Sequence, residues 1–280
     1  MPLTDLVLNL NKIDSPPETW AQTPSQFIAG QGQVFVHFAN LRLESLFVPI
    51  VETASGKVYG HAASLRAYNF STWQPVRHEA VFVLPSDNEE FVYLDRMVRT
   101  LHALNYLTHQ LRGNLLLKVH PRHVASVPAH HGLAFEEILR SCGLAPEQIT
   151  LELRIDGVED PEHLKRAVDN YRSRGYGIAI HRLGTSPVNL GLLTELRPDV
   201  VKLDATLMAT TQPLQRLIDQ LHEAGARVMI EGSDNKTLCR GAAALDIDLL
   251  QSHPTTHRPL ALTQPPVRRV HRASPVEMRI

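Results

Sequence analysis

From residue 115 to residue 251 short apolar runs alternate with amphipathic stretches, and that alternation limits the fold more than any other feature of the chain. Strand candidates lie at 115–119, 149–153, 177–180, 200–203, 228–230 and 249–251. Helix candidates lie between and around them at 134–142, 161–174, 188–196, 213–224 and 235–245. Gly143, Gly175 and Gly225 stand where three of these helices should stop, a position that favours a residue free to take positive φ. Strands this apolar are buried on both faces, which requires a parallel sheet with helices outside it. Upstream, residues 46–51 and 57–60 flank a Ser55-Gly56 turn and read as a hairpin. Residues 88–112 then carry a helical rhythm at Phe91, Leu94, Met97, Val98, Leu101 and Leu104. With the hairpin included, the count suits a closed barrel better than an open sheet. A chain of 280 residues with 43% hydrophobic content also suits one α/β barrel, commonly about 250 residues, better than two ordinary domains.

Residues 1–40 form an N-terminal lead-in, punctuated by Pro16-Pro17, Pro24, Gly30 and Gly32, in which only 34–38 has strand character. The Ala29-Gly30-Gln31-Gly32 stretch is a turn and not a phosphate loop, because no suitable helix follows. The barrel is assigned to 41–263. A tail over 264–280 is basic and proline-punctuated and is expected to be disordered and solvated.

Several function classes are excluded by bulk chemistry. A formal net charge of −1 argues against a nucleic-acid partner or a membrane surface. No apolar run approaches the roughly 20 residues that span a bilayer. Residues 1–10 carry Asp5 and no Lys or Arg, unlike a secretory signal. Cys142 and Cys239 supply neither a disulfide framework nor a zinc site, so a reducing, cytoplasmic location is expected.

In such a barrel, chemistry belongs at the C-terminal ends of the strands. The residues there are Ala62 after Gly60-His61, Lys118, Glu152, His181-Arg182, Lys202 with Asp204, Glu231-Gly232, and Gln251. Together with Val48-Pro49-Ile50-Val51, Gly56, Leu65-Arg66, Leu151-Glu152-Leu153, Gly184-Thr185, Pro198-Asp199-Val200-Val201-Lys202-Leu203-Asp204 and Pro259, they make the chain resemble the EAL domain family of cyclic-di-GMP phosphodiesterases over about three quarters of its length. The resemblance implies a (β/α)8 TIM-like barrel of EAL type whose first strand runs against the others. It also implies a site holding two divalent ions, Mg²⁺ or Mn²⁺, and, since EAL barrels often pair, a homodimer.

The departures from that family pattern decide the functional reading. The family's Glu-Ala-Leu is Ala62-Ala63-Ser64, its metal-binding Asn falls at Lys118, and its Asp-Asp pair falls at His181-Arg182. The second Glu of its Glu-Leu-Thr-Glu stretch falls at Ile155, and its Gln before Pro-Ile falls at Val48. Glu152, Lys202, Glu231 and Gln251 are kept. A two-metal site needs hard oxygen donors around both ions. A fixed cation about 4 Å from another charge costs roughly 4 kcal/mol per unit charge at an effective dielectric near 20, doubled against a dication. The resemblance therefore implies no bound metal cofactor and no hydrolysis.

The expected function is a catalytically inactive regulatory module that binds another protein in cyclic-di-GMP-related signalling. Two alternatives stay open. One is a metal-independent cyclic-di-GMP receptor that uses Arg66, Glu152, Lys202, Glu231, Gln251 and Pro259. The other is a residual phosphodiesterase with an altered metal set, such as zinc on His181, Glu152 and Glu231, with His61 or His120 as further candidates. The opposing expectation for the cavity is that Lys118–Glu152 and Arg182–Glu231 pair off and plug it.

Overall fold

The computed structural model describes residues 3–13, 16–20, 23, 25–156, 158–183, 190–209, 211–232 and 241–251. The expected segments at Gly184-Thr185, Cys239, Pro259 and 264–280, and the start of the helix at 235, lie outside the described residues, as does the side chain of Arg182.

In chain order the elements are α1 (Leu3–Ile13), β1 (Ser25–Gly30), β2 (Gln33–Phe38), β3 (Leu41–Glu52), β4 (Val58–Asn69), β5 (Pro75–Val76), α2 (His78–Val81), α3 (Asn88–Thr108), β6 (Asn114–Lys118), α4 (Pro121–Ser126), α5 (Leu133–Cys142) and β7 (Ile149–Leu153). They continue with α6 (Pro161–Ser173), β8 (Gly177–Leu183), α7 (Leu190–Leu196), β9 (Val200–Asp204), α8 (Thr211–Glu223), β10 (Arg227–Glu231) and β11 (Leu249–Gln251). Eight strands close a barrel in the order β3-β11-β10-β9-β8-β7-β6-β4, sealed by the β3–β4 pairing. As expected, β3 runs antiparallel to both of its barrel neighbours, β4 and β11, while the other pairs are parallel.

Local chemistry sets the element boundaries. The Asp87 side chain accepts from Glu90 N at 2.9 Å and caps α3, and Asp160 caps α6, with Pro161 following as its first residue. Gly143, Gly175 and Gly225 take positive φ after α5, α6 and α8, as their positions in the sequence predict. At the start of the barrel, a Cβ on Gly60 would collide with the Asn114 carbonyl, so only glycine lets β4 and β6 lie this close.

Three cores result. Strand residues such as Leu117, Leu151, Ile178, Val201 and Val228 face the outer helices. Ile50, Ala62, Leu116, Ala179, Val200, Met229 and Leu249 fill the barrel interior as one layer. The third core lies beneath a sheet extension in which β1 and β2 add to the outer ends of β3 and β4. Val36, Phe38, Leu43, Leu65 and Ala67 there pack on Leu94, Met97 and Leu101 of α3.

The lead-in is more structured than its sequence pattern suggested. Beyond the strand at Gln33–Phe38 it supplies α1 and β1, and Trp20 packs on Phe38 with ring centroids 4.8 Å apart. The division expected at residue 40 falls inside a shared core, because Phe38 and Leu43 belong to one cluster. The hairpin is also longer than expected. β3 and β4 have 12 residues each and extend beyond the closed barrel. Among the described residues no helix is long and apolar enough to cross a membrane.

Candidate functional site

Residues on alternate positions of a strand share a face. The interior layer at Ala62, Leu116, Ala179, Val200, Met229 and Leu249 therefore fixes which residues come next toward the barrel mouth. These are Ser64, Lys118, Glu152, His181, Lys202, Glu231 and Gln251. The structure thus gathers in one layer the kept residues and three of the departures, Ser64, Lys118 and His181. Ala62 sits one layer lower, in the apolar packing.

A polar chain crosses this layer. Lys202 Nζ donates to Glu152 Oε2 at 2.7 Å, with both side chains only 1% exposed, and lies 3.6 Å from Glu231 Oε2. Gln251 Nε2 donates to Glu231 Oε1 at 3.1 Å. Burial would raise the Glu152 pKa, but Lys202, Lys118 and His181 outweigh it and hold the carboxyl at about 2. The same carboxylates overcome the burial of Lys202 and push its pKa up. Burial brings His181 down to about 4, against the pull of Glu152, whose Oε1 is 3.6 Å from His181 Nδ1. His181 is therefore neutral near pH 7. Glu152 Oε1 and Gln251 Oε1 are buried without a hydrogen-bond partner among the described residues.

One expected pairing is corrected. Lys118 and Glu152 are register partners on β6 and β7, yet the carboxylate takes its ion pair from Lys202. The Lys118 side chain is exposed at the mouth and forms no ion pair among the described residues. A side chain of four methylenes anchored at the last residue of its strand reaches water more cheaply than it desolvates. The expected Arg182–Glu231 pair rests on a side chain outside the described residues, and Glu231 faces Lys202 and Gln251.

The other sequence candidates separate from the site. His61 packs its ring against Tyr106 of α3, outside the barrel, and His120 caps α4 by accepting from Arg122 N. Asp204 accepts from Thr206 N at 2.8 Å. Ser141 donates to Ile138 O within its own helix. Among the described residues no three His, Cys, Asp or Glu side chains gather closely enough to hold a metal ion.

Sequence reasoning missed the wall above the mouth. On the face continuous with the barrel interior, β3 and β4 pair Glu44 with Arg66 and Arg42 with Tyr68. β2 adds Phe35 and His37 to the same face. Period-two alternation carried on past Ser64 would have found it.

The EAL domain family model matches residues 33–251 of this chain. Among solved structures, a standalone versatile EAL protein from Vibrio cholerae O395, in its c-di-GMP-bound form, matches with a TM-score of 0.65 and 20% identity, over 75% of this chain and 89% of that one. Klebsiella pneumoniae BlrP1, in a manganese and cyclic-di-GMP complex, matches with a TM-score of 0.64 and 20% identity, over 89% of this chain and 64% of that one. The Bacillus subtilis YkuI protein, with an EAL domain in complex with c-di-GMP and calcium, matches with a TM-score of 0.63 and 20% identity, over 75% and 54%. At these identities the likeness speaks to the fold. No match is found among curated proteins.

Proposed function

We propose, from the premise that this chain belongs to the EAL domain family, that its barrel is a regulatory module that acts by binding and does not hydrolyse cyclic-di-GMP. One observation carries this reading: Lys118 places an ammonium, unpaired among the described residues, beside Glu152, where the family resemblance expects a neutral metal-binding amide. Mg²⁺ or Mn²⁺ fits the donor set around it poorly. Ala62 offers no oxygen, His181 replaces a hard carboxylate by an imidazole, and one oxygen of Glu152 is taken by Lys202. With no activated water, the scaffold keeps its shape and loses its chemistry.

Cyclic-di-GMP-related signalling is the setting the family gives, and a protein partner is the first reading of what the module binds. A homodimer and a cytoplasmic location belong to the same proposal.

Metal-independent reception of cyclic-di-GMP is the second reading, and a specific observation favours it. The expected plug of Lys118 on Glu152 is not formed, so a cation without a described partner faces the mouth. An ammonium or guanidinium can hold phosphate without metal. The solved relatives in complex with the dinucleotide are consistent with a ligand of this kind.

Calorimetric titration with cyclic-di-GMP, once in EDTA and once in Mn²⁺, tests both readings together with a linearisation assay. Heat in EDTA supports the receptor, and no heat in either buffer supports the protein-binding module. Turnover in Mn²⁺ overturns the proposal.

A further inference from the structure

The extension of β3 and β4 above the barrel mouth has two faces with different fates. The odd-numbered face, Leu43, Leu65 and Ala67, is buried on α3. The even-numbered face is covered by no described helix. It carries Arg42, Glu44, Arg66 and Tyr68, joined by Phe35 and His37 of β2 and by Trp73 in the turn that follows β4.

Charge on this face is unevenly used. Glu44 lies opposite Arg66 in the ladder, yet its carboxylate is engaged by Arg42 Nε. Arg66 forms no ion pair or hydrogen bond among the described residues. Arg42 is in turn laid flat, its guanidinium carbon 3.6 Å from the Phe35 centroid and 5.2 Å from that of Trp73. Tyr68 and Trp73 stand 6.4 Å apart, centroid to centroid.

Continuing the β4–β6 register from Ala62 and Leu116 puts Lys118 opposite Ser64, two residues below Arg66. The backbone positions of the two cations without described partners are thus one strand spacing apart sideways, about 4.8 Å, and ~6.6 Å apart along the strands, within reach of both side chains. A phosphodiester can be gripped between them, and the next inward-facing position above Arg66 is Tyr68.

We infer that this wall is a stacking platform for the purine of a phosphate-bearing ligand, with Lys118 and Arg66 holding the phosphate, Tyr68 and Trp73 receiving the base, and Arg42 bracing Trp73 from behind. Alternating rings and cations beside an anion site are the chemistry by which proteins bind nucleotide bases without reading sequence. The inference rests on the receptor reading above and deepens it, since it names residues of this chain outside the family's metal-site pattern.

The test titrates the full chain with cyclic-di-GMP in EDTA, with inorganic phosphate and guanosine as control probes. A Trp20→Phe variant, in which Trp73 is the sole tryptophan, reports contact by quenching of its fluorescence as the dinucleotide binds. Trp73→Leu should weaken binding roughly tenfold or more, with an unchanged melting temperature. Trp73→Phe, which keeps a ring, should recover most of the loss. Binding by Trp73→Leu within twofold of the parent, or no quenching in Trp20→Phe, overturns the platform while the receptor reading stands. Absence of heat from the parent chain removes the receptor reading itself, and the platform with it.

Discussion

Lys202 reaches past the one intervening strand, β8, to place its ammonium 2.7 Å from Glu152 Oε2, while Lys118, the register neighbour of that carboxylate, forms no ion pair with it. Among the described residues the Lys202 ammonium thereby compensates Glu152 in the interior and approaches Glu231, and the mouth keeps a cation. The two arrangements separate stability from binding. Changes at Lys202 should act on the fold, and changes at Lys118 on whatever enters the mouth.

Removing one partner of the buried pair should be costly. Lys202→Met leaves a charged Glu152 in the core, and breaking such a pair typically costs about 3–5 kcal/mol. The double variant Lys202→Met/Glu152→Leu should recover most of that loss, because an apolar pair of similar volume needs no desolvation. Urea unfolding of the parent, single and double variants measures both values. A double variant no more stable than the single one contradicts the account.

Acid should weaken the fold through Glu152 and through buried histidines, His102 and His181 among them. Glu152 is held at about 2, below its ordinary 4.5, so its contribution is complete above pH 4.5 and is lost as the pH falls toward 2. His102 of α3 is buried, its Nδ1 2.8 Å from Ser45 Oγ. Burial first, and Lys118 second, bring its pKa from 6.5 to about 3. Because the folded chain keeps this imidazole neutral, its contribution is whole above pH 6.5 and declines as the pH falls toward 3. Thermal melts from pH 7.5 to pH 4.5 should therefore show a falling melting temperature before Glu152 begins to titrate. His102→Asn should make that first limb shallower while His181 keeps part of it, and an unchanged slope in the variant counts against the role of His102.

Edge protection at β1 rests on one amide. Asn11 of α1 donates from Nδ2 to Phe27 O at 2.9 Å and accepts from Phe27 N at 2.8 Å, which occupies the outward backbone groups of Phe27 at the middle of an edge strand. Asn11→Ala should cost about 1–3 kcal/mol by leaving those groups without a partner. It should also raise the tendency to associate, since an unpaired edge templates another strand. Melting temperature and light scattering read the two effects, and a variant that melts and scatters like the parent removes the amide from its role.

The same contact shows why the first 40 residues were hard to read from sequence. Ser25–Gly30 contains three small residues and no regular alternation, and its strand state depends on α1 and β2 packing around it. The strands β6 to β11 needed no such help, because runs such as Leu115-Leu116-Leu117 and Ile178-Ala179-Ile180 are apolar enough to declare a strand buried on both faces. At the site, strand-end reasoning brought Lys118, Glu152, His181, Lys202, Glu231 and Gln251 to one layer. Which lysine meets Glu152 depended on how far each side chain must reach across a closed barrel, and spacing along a chain does not encode that.

The loss of metal donors is reversible if it is the whole defect. Ala62→Glu, Lys118→Asn, His181→Asp and Arg182→Asp together restore the oxygen and amide positions that the family resemblance implies, and three of the changes remove a cation or an imidazole. Lys118→Asn alone removes one unit of repulsion, which solvent at the mouth already screens. It supplies only one donor, so it should not suffice. Ala62 is packed among Ile50, Leu116 and Met229, so the longer carboxylate side chain introduced by Ala62→Glu has to displace apolar neighbours, and the quadruple variant should melt below the parent. Calorimetric titration with Mn²⁺ should give binding in the quadruple variant and none in the parent or in Lys118→Asn. Two manganese ions bound by the parent chain would show that Lys118 and His181 do not exclude them, and the non-hydrolytic reading would then lose its physical basis.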